Sequence, residues 1–238
     1  MTVLGEMDII SVFETEGRGS IPLGPTNKYT MKFDKNYRII SQLPAELIGA
    51  TINALSNIQW TDTAYNRSEV PLTPGRLLEL DCKISSKHRA QNGYNEAELC
   101  LLRSCDELIN WIKSLDEFKL YSVARGEFAT LLPNNKLGWH MDPRMFHTMS
   151  NRLHVPLITN SRCNQLWVNE TMHMEVGYLY ELNNGVLHSA ENFGLEPRCH
   201  LILDVMPTVD LERIVNNGTA GMIKIPDSFI LGEPAGLT

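Results

Sequence analysis

Residues 178–188 have the sequence Tyr-Leu-Tyr-Glu-Leu-Asn-Asn-Gly-Val-Leu-His. The first five residues are typical of a short strand, and Asn183-Asn184-Gly185 after them predicts a tight turn with positive φ at its central positions. Similar short apolar segments, separated by turn residues, recur from about residue 118 onward. The further strand candidates are residues 119–124, 127–132, 153–158, 165–168 and 200–206. The C-terminal half of the chain is therefore predicted to form an antiparallel β-barrel.

The N-terminal half contains two segments with helical periodicity. Residues 44–55 begin with Pro44 and then place apolar residues on one helical face. A second helix is predicted over residues 104–115, with Ser104 as its N-cap. We expect both helices to pack outside the barrel. The domains predicted on this basis are a helical and strand region packing on the core (1–116), the β core (117–207) and a C-terminal extension (208–238).

The composition argues against several classes of protein. The formal net charge is −7 and the sequence contains no cluster of Lys and Arg, so we do not expect nucleic acid as a partner. No run of about 18 apolar residues occurs, so no membrane span is expected. The N-terminus lacks the basic and apolar regions of a signal peptide, and the five cysteines include no CxxC pair. Together these features favour a cytoplasmic protein.

Three residues have the types and spacing of a metal site. His140 and Asp142 are two positions apart, so on an extended segment their side chains project to the same side. His188, from a distant strand, supplies a third ligand. Two imidazoles and one carboxylate suit Fe(II), and they leave adjacent coordination positions open for a co-substrate and O₂.

Two further elements predict a pocket for a dicarboxylate. Arg198 follows His188 by ten residues, and one crossing of the barrel brings its guanidinium opposite the metal, where the far carboxylate of 2-oxoglutarate needs a counter-charge. Arg152 and His154 share one face of the strand candidate 153–158, whose other face is apolar. Because unpaired buried charge is costly, we expect this pair to bind the metal-side carboxylate of the co-substrate. His200 shares a face with Arg198, but a hydrogen-bonded core histidine is the simpler interpretation.

Residues 118–207 resemble the aspartyl/asparaginyl β-hydroxylase family, which includes proline-hydroxylase-type members. The resemblance implies a double-stranded β-helix (jelly-roll, cupin-like) core, mainly β with flanking helices. It also implies hydroxylation of an unactivated C–H bond with Fe(II), 2-oxoglutarate and O₂. It assigns metal ligation to His140 and His188, and co-substrate binding to Arg198, Arg152 and His154. The features that match in order and spacing are Pro133, His140, the Arg-x-His-x-Pro-Leu strand from Arg152, Trp167, Asn169-Glu170, Gly177, His188, Arg198 and Asp204.

The chain departs from the family pattern at two positions. Animal β-hydroxylases lack a carboxylate ligand, whereas this chain keeps Asp142, as proline-hydroxylase-type members do. The aspartyl/asparaginyl substrate is therefore not transferred directly. The family's Ser on the strand before Pro133 has no obvious equivalent, and we expect Thr130 to assist Arg198 in its place. The first 115 residues show no match to the family.

The expected function is hydroxylation of an amino acid, or of an amino-acid side chain in a peptide or protein. Three alternatives remain open: a non-oxidative cupin-like protein binding a metal and a small molecule, a zinc-dependent hydrolase with an activated water, and a metal-free β-barrel interaction module. Arg198 favours the oxygenase, because none of the three needs a dicarboxylate pocket. The residues expected to contact a small-molecule or peptide substrate at the mouth of the site are Trp139, Arg144, His147 and Asn192.

Overall fold

A computed structural model of the chain describes residues 35–58, 75–79, 96–142 and 150–216. Within these ranges, ten strands, three α-helices and one short 3₁₀ helix follow one another along the chain. None of the described helices is both long and apolar enough to cross a membrane. The elements are β1 (Tyr37–Gln42), α1 (Ala45–Ser56), β2 (Gly75–Glu79), α2 (Glu96–Ser114), the 3₁₀ helix (Asp116–Phe118), β3 (Tyr121–Leu131), β4 (Asn135–Lys136), β5 (Asn151–Ile158), β6 (Cys163–Trp167), β7 (Glu170–Met172), β8 (Tyr178–Leu182), β9 (His188–Asn192), β10 (Arg198–Pro207) and α3 (Thr208–Asn216).

The strands form two antiparallel sheets. The larger has six strands in the order β1-β8-β5-β10-β3-β2, and the smaller has four in the order β4-β9-β6-β7. Of the eight strands from β3 to β10, four lie in each sheet, and β6 and β7 are the pair of chain neighbours that hydrogen-bond to each other. This order is that of a double-stranded β-helix, or jelly roll. The predicted fold class, mainly β with flanking helices, is confirmed.

The two faces of the six-stranded sheet differ because side chains alternate along each strand. Leu153 and Val155 on β5 and Leu201 and Leu203 on β10 are buried in one core cluster with residues of α1 and α2. The helices therefore cover the outer face of this sheet. Arg152, His154, Arg198, His200 and Asp204 occupy the alternate positions, so they lie on the inner face.

The helices follow from apolar stripes, although not always with the predicted bounds. The helix predicted over residues 44–55 is confirmed by α1. The helix predicted from Ser104 in fact begins at Glu96, since its buried stripe already starts at Leu101. Ser104 is not a cap: its hydroxyl donates to the Cys100 carbonyl inside the helix (3.3 Å). In the predicted C-terminal extension, α3 packs Leu211 and Ile214 against Ala124 and Met206.

The Asn183-Asn184-Gly185 segment is not a hairpin turn. It connects β8 to β9 in the other sheet, and none of its residues is among the described positions with positive φ, which are Asn134 and Gly177. The side chain of Asn183 closes the turn by accepting the Gly185 N–H (3.3 Å), an arrangement that does not require positive φ. The predicted tight turn is therefore present, and the positive φ expected at its central positions is wrong.

Candidate metal centre and co-substrate site

Two of the predicted metal ligands, His140 and His188, are neighbours in the smaller sheet. The backbones of His140, just after β4, and His188, at the start of β9, exchange two hydrogen bonds of 2.9 Å. Residues paired in this way project to the same face, and the two ring centroids are 4.4 Å apart. The pairing thus brings two potential ligands together although 48 positions separate them.

Each imidazole is fixed in the same tautomer. The Nδ1 of His140 lies 2.7 Å from the carbonyl of Gly138, and the Nδ1 of His188 lies 2.8 Å from that of Val186. A carbonyl can only accept, so Nδ1 carries a proton in both rings, and in the neutral ring the lone pair is on Nε2. Burial, followed by the neighbouring His140, lowers the pKa of His188 to about 4. The imidazole of His188 is therefore neutral at pH 7, the form that binds a metal.

Asp142 is anchored beside this pair, and its carboxylate is engaged by an arginine. Its backbone N–H donates to the Asn184 carbonyl (3.0 Å), and its carboxylate forms an ion pair with Arg152. Among the residues that the structure describes, no group of three or more His, Cys, Asp or Glu side chains is close enough to hold one ion. The donor set fits Fe(II) in kind, with two imidazoles and one carboxylate, while Asp142 is held by a guanidinium in this conformation.

Asp204 fixes the orientation of Arg152 from the neighbouring strand. The two residues pair in register between β5 and β10. Arg152 Nε donates to Asp204 Oδ1 (2.9 Å) and Nη2 donates to Oδ2 (3.1 Å), which is a bidentate arrangement. Burial opposes the charge, but Asp142 and Asp204 together raise the pKa of Arg152 above its ordinary value. Arg152 is therefore a fixed cation with one arm, Nη1, directed to Asp142.

Arg198 is a buried cation without a carboxylate partner in the part of the chain that the structure describes. Its exposure is 8 %, and its neighbours are His200 on its own strand (2.9 and 3.0 Å) and Gln165 Oε1 on β6 (3.5 Å). The contact with Gln165 shows that the side chain crosses from one sheet towards the other, inside the barrel. Burial lowers the pKa of Arg198 to about 10, so the group stays charged at neutral pH. Because a buried charge is costly without a counter-ion, this environment favours the binding of an anion.

His154 and His200 form the wall between the two arginines. Their Nδ1 atoms are 3.3 Å apart, and both rings are buried. Burial, followed by the charge of Arg198, lowers the pKa of each well below its ordinary value. Both are therefore neutral hydrogen-bonding groups, and His200 belongs to this site as well as to the core.

Thr130 lies away from the expected co-substrate pocket. It pairs in register with Cys199, and directly opposite residues project to the same face of a sheet. Cys199 belongs to the helix-covered core, whereas Arg198 projects to the inner face. The Thr130 hydroxyl is buried near the Cys199 thiol, whose pKa burial raises to about 12. We therefore correct the expectation that Thr130 assists Arg198.

Trp139 lines a cavity of about 400 Å³, and His140, Asp142 and His188 are not among its lining residues. The indole is 4 % exposed, lies next to His140 in the chain and has Lys136 Nζ 5.6 Å from its ring centroid. Its Nε1 is buried without a hydrogen-bond partner among the described residues. Val168, Glu170 and Thr171 from the β6–β7 hairpin also line this cavity. Trp139 is thus positioned for packing and for contact with a ligand in the cavity.

Of the other three residues expected to contact substrate, Asn192 is the one that the structure describes. Asn192 is fully buried, its Nδ2 donates to the carbonyls of Leu131 (3.0 Å) and Glu196 (2.8 Å), and its Oδ1 accepts the Gly194 N–H (3.0 Å). We therefore correct its assignment, because these bonds hold the β9–β10 connection and leave no group for a substrate. Arg144 and His147 lie outside the described residues.

Two further residues on the inner face, Gln165 and Asp204, contact the two arginines. Gln165 reaches Arg198 from β6, and alternation with Trp167 on that strand is the signal that places it on the inner face. Asp204 was noted only as part of the family pattern. Its role as the partner of Arg152 follows from a strand register that the sequence does not specify.

A model of the family described as Aspartyl/Asparaginyl beta-hydroxylase matches residues 90–207 of this chain. That range runs from before α2 to the end of β10 and contains every described residue of the site. It also contains the two His–carbonyl contacts that fix the imidazole tautomers.

Several solved structures have a similar fold at low sequence identity. An oxidoreductase of the 2OG-Fe(II) oxygenase family from Burkholderia pseudomallei is 10% identical, covering 72% of this chain and 86% of its own, with a TM-score of 0.48. HygX from Streptomyces hygroscopicus, with nickel and 2-oxoglutarate bound, is 11% identical over 73% and 83%, with a TM-score of 0.49. A prolyl hydroxylase from Trichoplax adhaerens, in complex with a hypoxia inducible factor peptide fragment, is 11% identical over 75% and 86%, with a TM-score of 0.46.

Proposed function

Residues 90–207 belong to the aspartyl/asparaginyl β-hydroxylase family of 2-oxoglutarate-dependent oxygenases, and we propose that this enzyme hydroxylates an amino acid or an amino-acid side chain in a peptide. The reaction consumes O₂ and 2-oxoglutarate. One oxygen atom converts a substrate C–H group into C–OH, and the other enters succinate as CO₂ leaves. The co-substrate supplies the two electrons that the substrate does not.

The observation that carries the proposal is the environment of Arg198. A buried guanidinium surrounded by neutral His154, His200 and Gln165 has no carboxylate partner in the described structure. Burying a charge without a counter-ion is unfavourable unless a ligand provides it. A dicarboxylate would pair one of its carboxylates with Arg198 and extend the other towards His140 and His188.

His140, Asp142 and His188 would hold the metal. Bound Fe(II) would supply the activation of O₂ that insertion into a C–H bond requires. The contribution of the chain is orientation. The carbonyls of Gly138 and Val186 bind the Nδ1–H groups of the two rings. The orientation of each ring, and with it the position of each Nε2, is therefore fixed.

Two arginine cations and one neutral histidine would orient the co-substrate. Arg198 holds its far carboxylate, and Arg152 with His154 holds the carboxylate nearer the metal. Apolar residues pair in register with this site: Trp167 with His188, and Tyr180 with His154. Trp167 and Tyr180 belong to one buried cluster, which excludes water from the space between the sheets.

Substrate contact is proposed for Trp139 through the cavity that it lines. Its indole forms part of the cavity wall, against which an amino acid or peptide would pack. The retained Asp142 makes an ordinary three-ligand site, so we do not restrict the target to aspartyl or asparaginyl side chains.

A succinate-release screen tests this function. Purified protein with Fe(II), ascorbate and 2-oxoglutarate is assayed against free amino acids and short peptides, with Asp142→Ala as the blank. We expect substrate-dependent succinate from the wild type, one per hydroxylated product. Hydrolysis of esters or peptides by the zinc-loaded protein, with no succinate from any substrate, would instead identify a zinc-dependent hydrolase.

A further inference from the structure

A β-bulge follows β4 and turns neighbouring side chains to opposite faces of the smaller sheet. Lys136 pairs with Glu191 and His140 pairs with His188, so four steps along this segment lie opposite three steps along β9. Without the extra residue, regular alternation would place Trp139 opposite His188. The bulge therefore gives His140 the inner face, while Trp139 lines a cavity together with Lys136.

The strand register places this cavity on the outer face of the smaller sheet. Leu166, one of the lining residues, pairs with Ser189 on β9 and with Thr171 on β7. Ser189 is the neighbour of His188, and neighbouring residues of a strand project to opposite faces. Lys136 is on the same face as Leu166, because its partner on β9 lies two residues beyond Ser189. The outer-face cavity and the candidate metal centre are therefore on opposite sides of one sheet.

The lining combines apolar surface with polar groups of balanced charge. Leu166, Val168 and the indole of Trp139 supply the apolar surface, and the Nζ of Lys136 lies 5.6 Å from the indole centroid. Glu170 balances the charge of Lys136 among the described lining residues. The volume of about 400 Å³ lies within the range of ligand pockets, which is roughly 300–1,000 Å³. This lining suits an uncharged apolar side chain whose backbone is bordered by hydrogen-bonding groups.

We propose that the outer-face cavity binds an apolar side chain of a peptide substrate, in the segment that flanks the residue hydroxylated at the inner face. The inference rests on the proposed function and selects a peptide within it, since a free amino acid at the candidate metal centre lies on the other side of the sheet. β4 is at the edge of the four-stranded sheet, so a peptide can pass from one face to the other around it. Gly138 on this edge is exposed, and His140 is half-buried.

The thickness of the sheet sets the spacing between the two positions in the peptide. Packed layers of sheet are about 10 Å apart, and an extended chain advances about 3.3 Å per residue. We therefore expect the apolar residue roughly three or four positions from the hydroxylated one, on one side of it only.

The experiment measures succinate release with Fe(II) and 2-oxoglutarate from three forms of each candidate target residue. These are the free amino acid, its N-acetyl amide, and nonapeptides of Gly and Ser that carry the target at the centre and one Leu at each other position in turn. We expect Leu at the predicted spacing to lower KM about tenfold relative to the peptide without Leu, because its side chain is buried in the cavity. The kcat should change less than twofold.

Val168→Arg places a charged side chain in the cavity from the β6–β7 hairpin, at a position that is 48 % exposed. We expect the KM ratio of the peptides without and with Leu to fall from about tenfold to near one. The matched control is Val209→Arg on α3, where the valine is 72 % exposed and does not line the cavity. It should keep the wild-type ratio.

Three results overturn this inference alone, provided that succinate is released. They are a KM that does not depend on the position of Leu, an equal loss of the ratio in both variants, and turnover of the free amino acid as efficient as that of the best peptide. No succinate from any of the three forms overturns the proposed function as well.

Discussion

His140 and His188 exchange a pair of backbone hydrogen bonds, so their imidazoles are held 4.4 Å apart by main-chain geometry rather than by side-chain contacts. The same local backbone supplies the carbonyls that fix both tautomers. Under the proposed function these two imidazoles would be metal ligands, and their fixed rings would need little rearrangement to bind the ion.

The first prediction concerns this pair. His188→Ala removes one of the two preorganised nitrogens, and we expect Fe(II) and Mn(II) affinity to fall by at least about 100-fold, since even second-shell changes at metal sites cost 10- to 100-fold. Anaerobic metal titration measures the change. The control is His173→Ala, which removes a histidine bonded to the Cys163 carbonyl (2.7 Å) and should leave metal affinity unchanged. Equal losses in the two variants would contradict the assignment.

The second prediction concerns Arg198. Arg198→Gln leaves the far carboxylate of 2-oxoglutarate without its cation, and we expect affinity to fall by about 2–4 kcal/mol, or roughly 30- to 1000-fold. Metal affinity should be unchanged. Arg162→Gln, on an exposed turn, is the matched control. An unchanged 2-oxoglutarate requirement in Arg198→Gln would remove this residue from the site.

The third prediction concerns stability in mild acid. Because the pKa values of His154 and His200 are lowered in the folded state, below pH 6.5 the unfolded chain binds protons at these positions that the folded chain does not. Their contribution to stability is therefore complete above pH 6.5 and is lost as the pH falls, by up to about 1.4 kcal/mol per pH unit for each histidine. Urea unfolding at pH 7.5, 6.5 and 5.5 measures this slope.

A double variant isolates the effect. His154→Gln/His200→Gln should have a pH slope smaller than that of the wild type by up to about 2.7 kcal/mol per pH unit between pH 6 and 5. Identical slopes in the two proteins would show that these histidines protonate in the folded state.

The fourth prediction separates structure from substrate binding at Asn192. Asn192→Ala leaves the buried Leu131 carbonyl without its side-chain donor and removes one of the two amide donors to the Glu196 carbonyl, and we expect a loss of about 1–3 kcal/mol in unfolding free energy. The affinity for 2-oxoglutarate and the KM for substrate should stay within twofold of the wild type at a temperature where the variant is folded. Asn164→Ala, which loses one bond to Glu191, serves as the control. A raised KM without loss of stability would restore Asn192 as a substrate contact.

Sequence reasoning was most successful where alternation and spacing determine the answer. The strand predicted over residues 178–182 coincides with β8, and the alternation of Arg152 with Leu153 correctly assigned the two faces of β5. No bounds were predicted for strands β1, β4, β7 and β9, although His188 was expected to lie on a strand. Residues 188–192, for example, read His-Ser-Ala-Glu-Asn, which lacks the apolar pattern of a strand, and they are held in the sheet by their partner strands.

The errors at the site come from register and from side-chain chemistry. Thr130 was one position out of phase with Arg198 across the β3–β10 pair, and a one-residue difference moves a side chain to the opposite face. The pairing of Arg152 with Asp142 depends on a contact between β5 and the segment after β4, which no local pattern encodes. Residue types therefore indicated which groups belong to the candidate site, whereas the partner of each residue could not be predicted without the three-dimensional structure.

The most direct test of the metal and co-substrate site is the visible spectrum of the anaerobic protein with Fe(II) and 2-oxoglutarate. We predict a weak charge-transfer band that needs both components, is absent in His188→Ala and requires a much higher 2-oxoglutarate concentration in Arg198→Gln. Absence of the band in the wild type at saturating Fe(II) and 2-oxoglutarate, or its persistence in His188→Ala, would contradict the account.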